Sequence, residues 1–317
     1  MTATSPSGGL DAAETAALGP HATAFADRLA RLVSGLSVLP DKPEETPASA
    51  LRALWHLAAG RALSAHAALE QPLSLLDAAQ AARLDELIAR RLSGAPLAYL
   101  TGWQRFMGLE LMATPAALIP RAETEMLARA ALARLEEDPT VRSPVVVDVC
   151  CGSGNVGLAL AHAASSERVH GSDLSEAAIA LARDNAARLG LADRVEFRVG
   201  DLMAPFGAEF DRQVDLVVSA PPYISTAKMD SMAPEIVGHE PHLAFDGGPF
   251  GVRILVRLIR ESPRLLRPGG WFGMEVGLGQ GPAMAQLLQR DAAYDRVETV
   301  CDAGGAIRIV LARAAGG

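Results

Sequence analysis

The chain is short of cysteine, of aromatic residues and of long apolar runs, and each shortage closes off a class of protein. Cysteine occurs only at Cys150, Cys151 and Cys301 among 317 residues. Adjacent Cys150 and Cys151 are badly placed to bridge each other, and no C-x-x-C pair occurs. A disulfide framework and a zinc site are therefore disfavoured, no metal ligands are assigned, and a reducing cytoplasm is the expected compartment. Aromatics make up 4% of the residues, while Ala and Leu dominate, which favours helices. No apolar run reaches the length of a membrane span. The amino end, Met1-Thr-Ala-Thr-Ser-Pro-Ser-Gly-Gly9, lacks the basic stretch and apolar core of a leader. A soluble cytoplasmic protein is expected, with no membrane partner. A basic excess is missing too. The net charge of −8 argues against a general duplex-DNA binder and leaves only a local basic groove open.

What is present is enough to build a core. Half of the residues are hydrophobic, so the chain reads as one large or two ordinary domains. Residues 1–20, made of small and turn-forming residues, read as a mobile tail. Residues 21–93 read as a small helical bundle. Ala24 to Leu36 is one helix, and the prolines between Pro40 and Pro47 break it. Ala48 to Leu69 carries Leu51, Leu54, Trp55, Leu57 and Leu63 at helical spacing. Asp77 with Gln80 has the form of a capping box, and Leu84, Leu87, Ile88 and Leu92 form the buried stripe that follows. His56 and His66 fit structural roles better than ligation. Residues 94–120 read as a linker with a short hairpin at Trp103 to Leu111, and residues 121–317 as a second domain opening on a helix near Thr124 to Leu135.

The second domain alternates strands and helices, the pattern of a doubly wound, mostly parallel α/β sheet. The strands are Val145–Val149, Arg168–Ser172, Val195–Val199, Val214–Val218 and Trp271–Val276. The turn Arg267-Pro-Gly-Gly270 precedes the last of these. An antiparallel pair, Val297–Cys301 and Ala306–Leu311, closes the chain. Ser175 caps one helix and Gly190 ends it. A further helix spans Val252 to Leu265.

Two stretches carry chemistry. The first is strand, glycine loop, helix: Asp148-Val-Cys-Cys-Gly152-Ser-Gly154-Asn-Val-Gly157. Glycines let the backbone approach a ligand, and the helix start offers unpaired N–H groups. Asp173, about twenty residues on, can hold ribose hydroxyls. By spelling alone this matches the dinucleotide fingerprint. Asp148 at the strand end favours a cationic sulfonium ligand, S-adenosylmethionine, over the pyrophosphate of NAD. The second stretch is Ser219-Ala-Pro-Pro-Tyr-Ile224. Two prolines cannot continue a ladder, so the chain leaves the sheet rigidly at Ala220 and presents Tyr223 beyond the strand's carboxyl end, where open α/β sheets bind ligands. Such an exit has no role in hydride transfer.

Together with Asp173 and Asp201, these stretches resemble class I methyltransferases that modify planar amino groups. Leu100-Thr-Gly, Leu118-Ile-Pro-Arg-Ala-Glu-Thr-Glu125, Glu240-Pro241, Asp246-Gly-Gly248 and Glu275-Val-Gly277 narrow the resemblance to the HemK/PrmC family. It covers residue 76 or so to the end, with a similar layout upstream. Members methylate the side-chain amide of the glutamine in the Gly-Gly-Gln motif of peptide chain release factors. The resemblance implies that Cys150, Cys151, Gly152, Ser153 and Gly154 wrap the methionine part of the donor. It implies that Asp173 binds the ribose, that Asp201 and Leu202 flank the adenine, and that Ala220, Pro221, Pro222 and Tyr223 form the acceptor pocket. The helical domain would engage the release factor. An adenine-methylating DNA enzyme shares the Pro-Pro-Tyr logic but not the upstream motifs or the acidic balance.

One departure matters. The family motif opens on Asn, whose side-chain oxygen accepts one N–H of the target amide while the first proline's carbonyl accepts the other. This chain has Ala220 there. Losing one preorganised contact of this kind costs on the order of 10²–10³ in rate. Three expectations follow: transfer to glutamine with another group or water standing in, a paralogue acting on a small molecule or another peptide, or a donor-binding protein with impaired transfer. His239 and Glu240, in the loop beyond the motif, are candidate bases for a more acidic acceptor.

Overall fold

The computed structural model describes residues 9–137, 143–163, 168–229 and 231–316. The chain divides into two units, Met1–Pro115 with Pro234–His239, and Ala116–Ala233 with Glu240–Gly317.

The first unit is helical. Its main helices are α1 (Ala12–Leu18), α2 (His21–Gly35), α3 (Pro47–Ala58), α4 (Ala65–Leu69), α5 (Ala78–Leu92) and α6 (Leu97–Thr101), and a single helical turn, Pro234–Val237, joins them from later in the chain. The antiparallel hairpin β1 (Trp103–Phe106) and β2 (Leu109–Met112) follows. Phe25, Leu32, Leu51, Leu54, Trp55, Leu84, Leu87 and Ile88 pack into one core; of the residues at helical spacing, Leu57, Leu63 and Leu92 are only half-buried against it. The capping box at Asp77 and Gln80 is present. His56 is buried, and its burial holds the imidazole below its ordinary pKa. Two expectations are corrected. The run from 48 to 69 is two helices, because the chain turns through Gly60 at φ 88°. The tail expected over residues 1–20 gives way to α1, closed by a capping box between Asp11 and Glu14 and carrying buried Leu18. Residues 1–8 of that expected tail lie outside the described residues.

The second unit is a doubly wound sheet. Its elements are α7 (Ala122–Glu136), β3 (Val145–Val149), α8 (Asn155–Ala163), β4 (Arg168–Asp173), α9 (Glu176–Arg188), β5 (Val195–Val199), β6 (Val214–Ser219), α10 (Arg253–Glu261), β7 (Leu266–Glu275), α11 (Gly281–Arg290), β8 (Tyr294–Cys301) and β9 (Ile307–Ala314). The seven strands lie in the order β5-β4-β3-β6-β7-β9-β8, with β9 antiparallel to β7 and to β8. Continuous apolar runs make β3 and β6 central, since a strand covered on both faces needs no alternation. The chain winds outward from β3 on one side and resumes at β6 on the other. The sheet therefore has its switch point between these two strands, where a crevice opens beyond their carboxyl ends. The turn expected at Arg267–Gly270 is instead the first half of β7. Leu266 already pairs with Val214, and a register shift carries the strand on to Leu216 and Trp271.

Candidate active site

Val149 of β3 and Ser219 of β6 are the last paired residues of the two strands at the switch point. The next residue of each strand, Cys150 and Ala220, lines one cavity of about 480 Å³. Gly152, Asp173, Asp201, Leu202 and Pro222 also line it. The glycine-loop residues and the Pro-Pro exit, read separately in sequence, thus face a single space.

The loop is built by backbone geometry. Cys150 sits at φ 58°, Gly152 at φ 53° and Gly154 at φ 81°. A side chain at Gly154 would also meet Phe197 at 2.8 Å, so glycine is required there on two counts. Asp173 fixes the loop from β4. Its Oδ2 accepts from Gly152 N at 2.9 Å and its Oδ1 from Ser175 N at 2.9 Å. Burial raises its carboxyl above the ordinary range, against those N–H bonds. Asp201 is held from the side by Arg257 of α10, whose Nη1 and Nη2 donate to its two carboxylate oxygens at 3.0 and 3.1 Å.

Several expected residues stand behind the cavity wall rather than on it. Asp148 is buried, and its Oδ2 accepts from Gly157 N at 2.8 Å. It therefore supports the start of α8 instead of facing the ligand. Burial pushes its carboxyl up to about 7, and nearby Asp173 adds to the shift. Cys151 and Ser153 are buried in the loop's underside. Burial raises both loop thiols well above the ordinary cysteine value, which makes them poor nucleophiles at neutral pH.

Tyr223 is not among the residues that line the cavity, and its hydroxyl joins a polar cluster with buried Glu275 and Thr124. Its hydroxyl donates to Glu275 Oε1 at 3.0 Å, while Glu275 Oε2 accepts from Thr124 Oγ1 at 2.7 Å. The main chain is pinned as well. Gln280 Nε2 donates to Tyr223 O at 2.9 Å and to Gly251 O at 3.2 Å. Ile224 N donates to Phe245 O, and Gly247 N to Ile224 O. Asp246 Oδ1 accepts from Thr226 Oγ1 and Gly248 N, and these bonds hold its carboxyl below the ordinary range. The Asp246-Gly-Gly248 motif is thus a clamp on the exit from β6.

Neither candidate base is free in the cavity. Glu240 is buried and accepts from Ile119 N at 3.1 Å and from the Arg121 guanidinium. His239 is exposed and belongs to the helical unit. The sequence reading did not single out Leu118, Ile119, Leu243 and Ile254 as cavity-lining residues. Leu118 and Ile119 had entered only as part of a family motif, and Leu243 and Ile254 come from separate elements with no shared periodicity.

The cavity fits a nucleoside carrying a cationic sulfonium. Two carboxylates, Asp173 and Asp201, lie among apolar Leu174, Leu202 and Ile254, and Gly152 leaves room for close approach. No group of three or more His, Cys, Asp or Glu among the described residues is arranged to hold a metal ion. No described helix is long and apolar enough to cross a membrane.

Comparison with known proteins bears on both units. Residues 32–102 match the PrmC N-terminal domain, and residues 146–239 match a methyltransferase domain. A release factor glutamine methyltransferase of Moorella thermoacetica is 42% identical over 74% of this chain and 80% of its own length. One of Caulobacter vibrioides is 34% identical over 86% of this chain and 91% of its own. Among solved structures, the hMettl16 catalytic domain in complex with a 3′UTR hairpin superposes with a TM-score of 0.50 at 13% identity, covering 77% of this chain and 85% of that one. That likeness concerns the fold alone.

Proposed function

The chain belongs to the release factor glutamine methyltransferase family, and on that footing we propose that its acceptor is the side-chain amide of the glutamine in a release factor's Gly-Gly-Gln motif. It is an S-adenosylmethionine-dependent methyltransferase. One observation carries the reading of the site: Ala220 and Pro222 of the exit line the same cavity as Cys150, Asp173 and Asp201. In this reading the donor and acceptor sites adjoin at the sheet's switch point. The donor supplies an electrophilic methyl group. In this reading the backbone from Cys150 to Gly154 cradles its methionine portion, Asp173 takes the ribose and Asp201 with Leu202 takes the adenine. The chain's contribution to rate is positioning, because an amide nitrogen is a weak nucleophile that must be oriented and kept from water.

The Pro221 carbonyl is the acceptor left for one amide N–H, and the Ala220 side chain offers none for the other. That same residue supports a second reading, in which the donor binds but transfer is slow or directed to another peptide or a small molecule. Labelled methyl transfer to a purified release factor, with Ala220→Asn run beside the unaltered chain, separates the two. Transfer by both supports the family acceptor. Transfer by Ala220→Asn alone supports impaired turnover. Donor binding with transfer by neither favours another acceptor. The helical unit is the proposed recognition element, and the cytoplasm is the compartment in which a release factor is met.

A further inference from the structure

The loop that follows the Pro-Pro-Tyr exit does not stay in the unit that holds the exit. After Ala233 the chain contributes Pro234–His239 to the helical unit, then returns at Glu240. This six-residue segment is seated by charge. Glu235 Oε1 accepts from Lys42 Nζ at 2.9 Å and Oε2 from Arg91 Nη1 at 2.8 Å, while Arg91 Nη2 donates to Glu45 Oε2 at 3.0 Å. Lys42, Glu45, Arg91 and Glu235 are 1, 2, 2 and 7% exposed. Two charges of each sign are thus enclosed together, from the turn before α3, from α5 and from the loop.

We propose that this cluster is a latch that makes the loop beyond the acceptor exit a part of the helical unit, so that Lys42, Arg91 and Glu235 are positioning residues for transfer to a protein acceptor. Three observations lead there. A buried ion pair is seldom the cheapest way to stabilise a fold, since apolar residues of similar volume serve as well or better, but its directional bonds fix one seating. Elsewhere in the segment, Ile236 and Val237 are only half-buried and Gly238 and His239 are exposed. Burial opposes ionisation of Glu235, yet Lys42 and Arg91 together hold its carboxyl below the ordinary range. On returning, the chain is fixed at once by Glu240, and Pro241, Leu243, Ala244 and Asp246 line the cavity. The segment's seat in the helical unit and the cavity wall are thus joined by consecutive residues.

This inference rests on the acceptor being a protein, and the test keeps the two apart. In the unaltered full-length chain, backbone amides of 235–239 are expected to exchange with solvent as slowly as those of α5, and more slowly than those of 226–229. The variant Lys42→Met with Glu235→Ala removes one charge of each sign and leaves Arg91 paired with Glu45. It should speed exchange of 235–239 about tenfold or more. It should raise KM for the release factor about tenfold with kcat within about threefold, and leave the donor's Kd within about twofold. Lys42→Met with Glu235→Gln keeps an acceptor for Arg91 and should restore both exchange and KM. Fast exchange of 235–239 in the unaltered chain, or unchanged KM in the opened variant, overturns the latch. A parallel loss of donor affinity also overturns it, since that would mark a merely structural role. If neither the unaltered chain nor Ala220→Asn methylates a release factor while donor still binds, the acceptor reading fails and the positioning role fails with it. The exchange result still decides separately whether the segment is latched.

Discussion

The hydroxyl of Tyr223 donates to Glu275 at 3.0 Å, and so the aromatic residue of the Pro-Pro-Tyr exit anchors the exit to a buried carboxylate. Burial, with the Glu275 charge adding to it, pushes the phenol's pKa well above its ordinary value, so the hydroxyl stays a donor at any working pH. Tyr223→Phe keeps the ring and loses the bond. Since a misplacement of about 1 Å costs roughly 10² in rate, kcat is expected to fall between about 10- and 100-fold. The donor's Kd, measured by calorimetry, should change by less than about twofold.

Asp148 ties stability to pH. Its folded value of about 7 lies above the unfolded value near 3.9. The folded state therefore holds the proton more tightly. The group's favourable contribution is complete below pH ~4 and is lost as pH rises through ~7. The loss is on the order of 4 kcal/mol at 1.36 kcal/mol per pKa unit. Asp148→Asn can still accept from Gly157 N, so it should flatten this slope and raise the unfolding free energy at pH 8 more than at pH 5, as read by denaturant titration.

Gly154→Ala meets two obstacles, a backbone at φ 81° and a contact with Phe197 at 2.8 Å. Left-handed strain and overpacking together should destabilise the second unit by about 2–4 kcal/mol. A shift of the denaturant midpoint with unchanged slope would report it.

Arg257 and Asp201 are an exposed pair, with side chains 39 and 53% accessible. Arg257→Ala should leave stability within about 0.5 kcal/mol. Its effect belongs to binding, because the two parallel bonds orient a carboxylate on the cavity wall. We expect donor affinity to fall about threefold, with less difference between the two proteins at high salt.

The sequence carried the central machinery plainly and the surroundings poorly, for physical reasons. Strand β3, the loop at Gly152–Gly157 and the exit at Ala220 are local events. Apolar runs, positive-φ glycines and two prolines each act within a few residues. Asp148 was placed correctly at the strand end but on the wrong side of the loop, since nothing local decides whether a carboxylate faces a ligand or caps a helix start. Helix α1 had its own signal, the Asp11 and Glu14 capping box, which its small, apolar-poor composition obscured. The clamp formed by Asp246, Gln280 and Glu275, and the burial of Glu235 beside Lys42 and Arg91, depend on residues up to 193 positions apart. No periodicity records such pairings.

The most direct test of the proposed acceptor is to locate the methyl group. Release factor is incubated with donor and the unaltered chain, digested, and its Gly-Gly-Gln peptide examined by tandem mass spectrometry, beside a release factor whose glutamine is replaced by glutamate. A methyl group on the glutamine side chain, absent from the replaced factor, is the expected result. A methyl group on another residue, or none from either the unaltered chain or Ala220→Asn while donor binding persists, would contradict the assignment.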